Sequence, residues 1–426
     1  MADNAVIIAK DEPSLLRLLE VLEKTGKANG LELSKEKTKI MKIRGPEVES
    51  KIGKYEVEKE IKYLGVQVGG RGRNIFEAEN KKWIEKAEKK ANALIGQIKK
   101  SADKIIVGKA IWKLMAIPAI LFGRGVITSS KNNIERLQRL ENKVWRYLMG
   151  IGGYATVEAL RGEIGASMVK SRIMETMLLY MIDTLASDFT NIKDLMRDTL
   201  RKGKGRWYRA TNEYRAELGL SWETLYKTDR PTLKKIVRTY DTEKWKEGLG
   251  KKISMRFYIQ EKKEIHYDLC YRNNNCSMFY ARARINALKL EKHRGRGIEG
   301  YNKTCKMCGE EIEDLVHFIS NCKALEKTRN YKLLDRYIRN PEERMRKLLF
   351  RDSRHWEIGK MIKDLWIERR KILKEIEIKN ENSPIDQINL GRDTNIRLSR
   401  SDPGPHSKKT QDNQYIIQKR RNLSKG

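Results

Sequence analysis

Apolar positions along the first seventy residues switch spacing several times. Leu15, Leu18, Leu19 and Leu22 recur at intervals of three and four, as on a helix with one buried face. Asp11 is placed to cap that helix, Pro13 falls in its first turn, and Gly26 and Gly30 mark its end. Short strand-like runs follow at 38–43, 55–57 and 63–68, with Gly45 and Pro46 between the first two. From Glu77 the period becomes helical and stays so: Trp83, Ala87, Ala91, Leu94 and Ile98 form one stripe. Ile134, Leu137, Leu140, Val144 and Leu148 form another behind a Ser130 cap. Residues 168–185 are apolar enough for an interior helix, and the basic, glycine-containing stretch 201–209 reads as a break between helical lobes. Residues 210–300 continue as helices with a Gly/Arg loop at 294–300, and further amphipathic helices run to 376. Beyond Lys379 the pattern dissolves into a polar segment with a basic end, Lys419-Arg420-Arg421, expected to be disordered. The pattern predicts a predominantly α fold with a small α+β N-terminal piece.

Charge changes the picture more than size does. The 426 residues suit two or three domains at ~150 residues each, and 39% are hydrophobic, enough for a real core. Lys and Arg number 90 against 57 Asp and Glu, a formal net charge of +33. Such an excess repels itself unless a polyanion is near, so nucleic acid is the first partner to expect. The cations are spread along the whole chain rather than gathered beside one amphipathic anchor, which argues against a membrane surface. The longest apolar stretch, 105–126, carries Lys109, Lys113, Arg124 and Pro118 and reads as a buried helix rather than a span. No signal peptide is visible, because Asp3, Asn4, Lys10 and Asp11 interrupt the apolar start.

Three of the five cysteines lie within eighteen residues. Cys305 and Cys308, followed by His317 and Cys322, give Cys-x2-Cys-x8-His-x4-Cys. The first pair turns two thiolates toward one point, and the later two residues complete a tetrahedral Cys3His shell for Zn2+. Four protein ligands leave no open position for water, so the site is structural and not catalytic. Gly309 lets the chain fold back after the knuckle. Cys270 and Cys276 have no matching histidine nearby and are read as free thiols outside this set, and His266, His293 and His355 as ordinary polar residues. The cysteine usage points to a reducing, intracellular setting, nuclear or cytoplasmic.

Three segments in order then resemble one family. Met1-Ala2-Asp3-Asn4, running into the apolar residues 5–9, resembles the Ala-Asp-Asp turn of non-LTR (LINE-type) retrotransposon reverse transcriptases. Gly30-Leu31-Glu32-Leu33-Ser34-Lys35-Glu36-Lys37-Thr38-Lys39 is similar to the Gly-Leu-x-Leu-Asn-x-x-Lys-Thr-Lys segment that follows it, and Tyr63-Leu64-Gly65-Val66 to the primer-grip strand pair. Residues 159–165 resemble the helical region after the thumb, and the Cys3His set stands where these elements carry a zinc knuckle.

The resemblance spans about residues 1–375. It implies a partial palm in 1–76, a helical thumb in 77–150, a helical connector in 151–300, the knuckle in 301–330 and C-terminal helices in 331–379, and it leaves the disordered basic tail, 380–426, unmatched. It also implies RNA and DNA as partners, Mg2+ at the palm, Asp3 as a catalytic carboxylate, Lys37 and Lys39 near the nucleotide, and Tyr63, Leu64 and Gly65 near the primer end. Lys82, Lys86, Lys89 and Lys90 would follow duplex phosphates. Arg206, Trp207 and Tyr208 either stack on unpaired bases or anchor a linker. The departures weigh against catalysis: the second acidic position of the turn is Asn4, and the upstream strand and fingers are missing, so a truncated, inactive polymerase that still binds nucleic acid is expected. The alternative is a zinc-stabilised helical nucleic-acid-binding or adaptor protein adopted for host use.

Overall fold

Asp11 caps the first helix, α1 (Glu12–Ala28), by accepting the Ser14 N–H at 2.8 Å, with Pro13 in the first turn. The helix presses Leu19 onto Ile40, Ile52 and Tyr55, a small cluster separate from the main core. Those three belong to β1 (Lys39–Ile40), β2 (Lys51–Ile52) and β3 (Tyr55–Val57), a sheet of order β1-β3-β2. β1 runs parallel to β3, and β2 antiparallel to it. The computed structural model describes residues 6–43, 50–69, 75–101, 103–152, 155–268, 274–335 and 337–381. Asp3, Asn4, Cys270 and nearly all of the basic tail therefore lie outside the described residues.

The run 63–68, strand-like by composition but similar to a strand pair at 63–66, is two strands and a turn. β4 (Glu60–Tyr63) and β5 (Val66–Gly69) pair antiparallel, with Tyr63 opposite Val66. Two-residue hairpin turns that follow the twist of their strands are type I′ or II′, and type I′ needs positive φ at both central residues. Leu64 takes φ 45° and Gly65 φ 83°. Glycine does this freely, whereas Leu64 carries a left-handed cost of about 1–2 kcal/mol.

The remainder is helical: α2 (Glu77–Ile98), α3 (Lys104–Ile111), α4 (Ile117–Leu121), α5 (Lys131–Met149), α6 (Val157–Ile164), α7 (Val169–Ala186), α8 (Thr190–Lys202), α9 (Arg206–Glu217), α10 (Trp222–Lys227), α11 (Arg230–Gly250), α12 (Arg256–Glu261), α13 (Asn274–Arg284), α14 (Glu291–Arg294), α15 (Pro341–Arg346) and α16 (His355–Glu381). The chain divides into two units, Met1–Ile372 and Leu373–Gly426; of the second, only the end of α16 is described. No described helix is long and apolar enough to cross a membrane.

The helix expected across 105–126 ends at Leu121, and its ladder widens to a π turn at Trp112–Ala116 just before Pro118. Proline has no N–H to offer the preceding turn, and such ladders commonly relax by one residue. The stripes on α2 and α5 are buried as their spacing requires. Trp83, Ala87, Ala91, Leu94 and Ile98 meet Leu137, Val144 and Leu148 in the main core. Ser130 caps α5 through the Asn133 N–H.

Several polar groups buried between these helices are paired. The Trp83 indole donates to the Ile120 carbonyl at 2.6 Å, and Trp112 to Glu141 at 2.7 Å. Asp241 on α11 accepts from Arg161 at 2.9 Å, from Ser171 at 3.1 Å and from the Met168 N–H, so it joins α6, α7 and α11. Arg284 reaches Glu163 and Asp268 in the same way. Pairs separated by 70 to 121 residues in sequence thus hold the helical layers in one register. Buried pairs add little net stability when intact, but losing one partner typically costs about 3–5 kcal/mol.

Candidate metal centre and nucleic-acid face

Cys305 to Gly309 folds as a knuckle. The Gly309 N–H donates to the Cys305 carbonyl at 2.8 Å, and Gly309 stands at φ 72°, where a side chain would be strained. The strand-like return bridges Thr304 to Ile312, and the Cys305 N–H donates to the Glu311 carbonyl. Both knuckle sulfurs are thereby aimed to one side.

The second ligand pair depends on an unusual turn. Five residues on an α-helix advance about 500°, which leaves residues i and i+5 roughly 140° apart. His317–Asn321 is instead a π turn, closed by the Cys322 N–H onto the His317 carbonyl at 2.8 Å. The wider i→i+5 ring brings His317 and Cys322 to the same side. Asp314 accepts the His317 N–H at 3.0 Å and so starts the turn.

The donor atoms of Cys305, Cys308, His317 and Cys322 all lie within 4.8 Å of one another. Around tetrahedral zinc, with Zn–S near 2.3 Å and Zn–N near 2.0 Å, two sulfurs stand about 3.8 Å apart and a sulfur and nitrogen about 3.5 Å apart. Cys305 Sγ and Cys322 Sγ are separated by 3.9 Å, and Cys308 Sγ and His317 Nε2 by 3.4 Å. These four residues could hold a metal ion, and their spacing and chemistry fit zinc. The other imidazole nitrogen, Nδ1, lies 2.8 Å from Glu311 Oε2, the outer partner that fixes a ligating histidine's tautomer.

Without a metal, the quartet shares its protons unequally. The hydrogen bond from Cys322 draws the Cys305 thiol down to about 3, and the Cys322 thiol is pushed up in turn. Burial opposes charge on His317, but its bonds to Cys305 and Glu311 raise it to about 9. Arg329 locks the exit by donating to the carbonyls of Ile319 and Cys322, at 2.8 and 2.7 Å.

The expected nucleic-acid residues divide into those the structure leaves open and those it engages. Lys82, Lys86 and Lys89, spaced by four and three, are exposed along one side of α2, with Lys90 exposed beside them. Lys86 is paired with Glu79 at 2.9 Å, and Glu79 also accepts the Gln67 N–H of β5, which fastens the hairpin to this helix. Of the two lysines expected near the nucleotide, Lys37 is exposed, while Lys39 is held by Glu56 and by Glu58 at 3.5 Å. Tyr63 is half-buried, and Leu64 and Gly65 form the hairpin turn above Phe122. Arg206 is exposed at the start of α9. Trp207 is an anchor: it turns inward, and its indole donates to the Gly125 carbonyl at 2.7 Å.

No family model, curated protein or solved structure matches this chain. Its chemistry must be argued from these residues.

Proposed function

We propose that this chain is a nucleic-acid-binding protein of the non-LTR reverse transcriptase type. In this reading it holds an RNA–DNA or RNA duplex along α2, has no nucleotidyl-transfer activity alone, and carries a structural zinc ion at Cys305, Cys308, His317 and Cys322. The observation that carries it is the exposed Lys82, Lys86 and Lys89 row on the helix to which the Tyr63–Val66 hairpin is fastened. A row of ammonium groups on one helix side can follow a phosphate backbone and release its counterions. The hairpin turn beside it would then meet the duplex near its last base pair.

Catalysis is a different matter. Nucleotidyl transfer by two metals needs carboxylates that hold both ions about 3.5–4 Å apart. The sequence at positions 3 and 4 offers one carboxylate, Asp3, and an uncharged amide, Asn4. Mg2+ would have too few charged ligands there. Zinc, with four protein ligands, would organise 301–330 and take no part in a reaction.

Affinity for a 20-base-pair RNA–DNA hybrid should fall steeply with salt, with a log–log slope near −0.9 for each phosphate contacted. The triple variant Lys82→Gln, Lys86→Gln, Lys89→Gln should flatten that slope by about two to three units, because each lost phosphate contact removes about one. Absence of duplex binding by the parent protein at low salt would end this reading. The same preparation should extend no primer with Mg2+ or Mn2+. Extension abolished by Asp3→Ala would make it a polymerase after all.

A further inference from the structure

Tyr208 leads to a site that its neighbour Trp207 does not share. Its ring lies nearly parallel to that of Trp222 on α10, with centroids 5.6 Å apart and an interplanar angle of 19°. Trp222 in turn lies nearly parallel to Tyr226, one helical turn on, at 6.0 Å and 26°. The interior aromatic pairs behave differently. Trp112 with Trp145, Trp245 with Tyr258 and Phe318 with Trp366 all meet edge to face, at 74°, 72° and 80°. Edge-to-face pairing is one of the two favoured packings of buried rings, whereas a near-parallel row presents π-faces of common orientation.

This row is also at the surface. Tyr208 and Trp222 are half-buried, and Tyr226 is 49% exposed. The Arg215 guanidinium sits 4.9 Å from the Trp222 ring centre and is held there by Asn212 at 2.9 Å and by the Leu220 carbonyl. The outer edge of Tyr208 reaches the Gly203 turn, where a Cβ on Gly203 would lie 3.8 Å from its hydroxyl.

That turn supplies the charge. Arg201 and Lys202 are taken up by Asp198, and Lys227 by Glu223. Lys204, Arg206 and Arg209 are exposed and have no acidic partner among the described residues. Three uncommitted cations therefore lie within four residues of Tyr208 in the chain. An apolar protein partner would use the rings but would leave the cations unmatched. A single-stranded polynucleotide uses both, since its bases stack on aromatic faces and its phosphates seek Lys and Arg.

We propose that Tyr208, Trp222 and Tyr226 form a stacking platform for unpaired nucleic-acid bases, with Lys204, Arg206 and Arg209 engaging the phosphates of the same strand. The platform rests on the nucleic-acid reading above but is separate from the α2 lysine row. One site takes an unpaired strand and the other a duplex.

The test compares fluorescence anisotropy of labelled oligo(U), oligo(dT) and a 20-base-pair duplex on the full chain. Tyr226→Ala removes the most exposed ring with least risk to folding and should weaken both oligonucleotides at least about fivefold. Duplex affinity should stay within about twofold, and Tyr226→Phe, which keeps the ring, should bind like the parent. The double variant Arg206→Gln, Arg209→Gln should weaken the oligonucleotides and flatten their salt slope by up to about 1.4 units, at ~0.7 per phosphate on single strands. The relative strength of oligo(U) and oligo(dT) identifies RNA or DNA as the strand. Unchanged oligonucleotide binding in both variants, with duplex binding intact, would overturn the platform alone and make the row a protein-docking face. Equal loss on duplex and single strands would also overturn it. A parent protein that binds neither would fail the broader reading first.

Discussion

Chelation of the metal, or replacement of Cys305 by serine, is expected to abolish binding of one zinc per chain and to loosen residues 300–330. Structural zinc is worth about 10–16 kcal/mol in isolated finger peptides, where nothing else holds the fold. Here part of the segment is secured independently. Phe318, Ile319 and Leu325 are buried, Phe318 meets Trp366 edge to face at 6.1 Å, and Arg329 binds two carbonyls of the turn. The loss should therefore appear as an early, separate unfolding step of the knuckle ahead of the main transition. Amide exchange within 303–322 is the direct readout, with elemental analysis for stoichiometry. Glu311→Gln should be milder, keeping the fold while weakening zinc by about tenfold, at the lower end for an outer-shell partner because the carboxylate is largely exposed. A metal-free protein with unchanged exchange across 303–322 would refute the structural assignment.

The four donors were legible because thiolate and imidazole at those spacings have few other uses. How His317 and Cys322 meet was not, since nothing in the string announces a π turn. The helical stripes of α2 and α5 were readable for a related reason: burial of one face imposes a period, and Trp83 through Ile98 obey it without exception. The caps Asp11 and Ser130 were equally plain, because their side chains act within three residues. Turns formed by unsuitable residues were hidden. Leu64 at positive φ sits inside a run of strand formers, so 63–68 reads as strand-like by composition. Trp207 and Tyr208 are neighbours in the chain with opposite fates, because one turn of α9 points the first at Gly125 and the second at Trp222. Sequence distance conceals most of all the buried ion pairs, such as Arg161 with Asp241, whose members look like ordinary surface charges until the helices pack.

The strongest instance of such concealment carries the second large effect. Arg369 on α16 is 2% exposed and donates to Glu313 at 2.6 and 2.7 Å, with Glu291 at 3.5 Å. Glu313 also accepts the Glu291 N–H at 2.8 Å, and its own N–H donates to the Lys303 carbonyl two residues before Cys305. One guanidinium thus bridges two buried carboxylates and ties the knuckle to the last helix. Arg369→Met preserves the volume of the stem but strands the buried Glu313 carboxylate, while Glu291 keeps the half-exposed Lys306 and Arg294 at 3.7 and 3.6 Å. The expected cost is about 3–5 kcal/mol, measured by denaturant unfolding. Adding Glu313→Gln removes that stranded charge while keeping an acceptor for the Glu291 N–H, so the double variant should be destabilised by less than the sum of the single changes. Additive losses, or a single-variant cost below about 1 kcal/mol, would mean that water reaches these carboxylates and that the burial of the network is not what couples the metal module to α16.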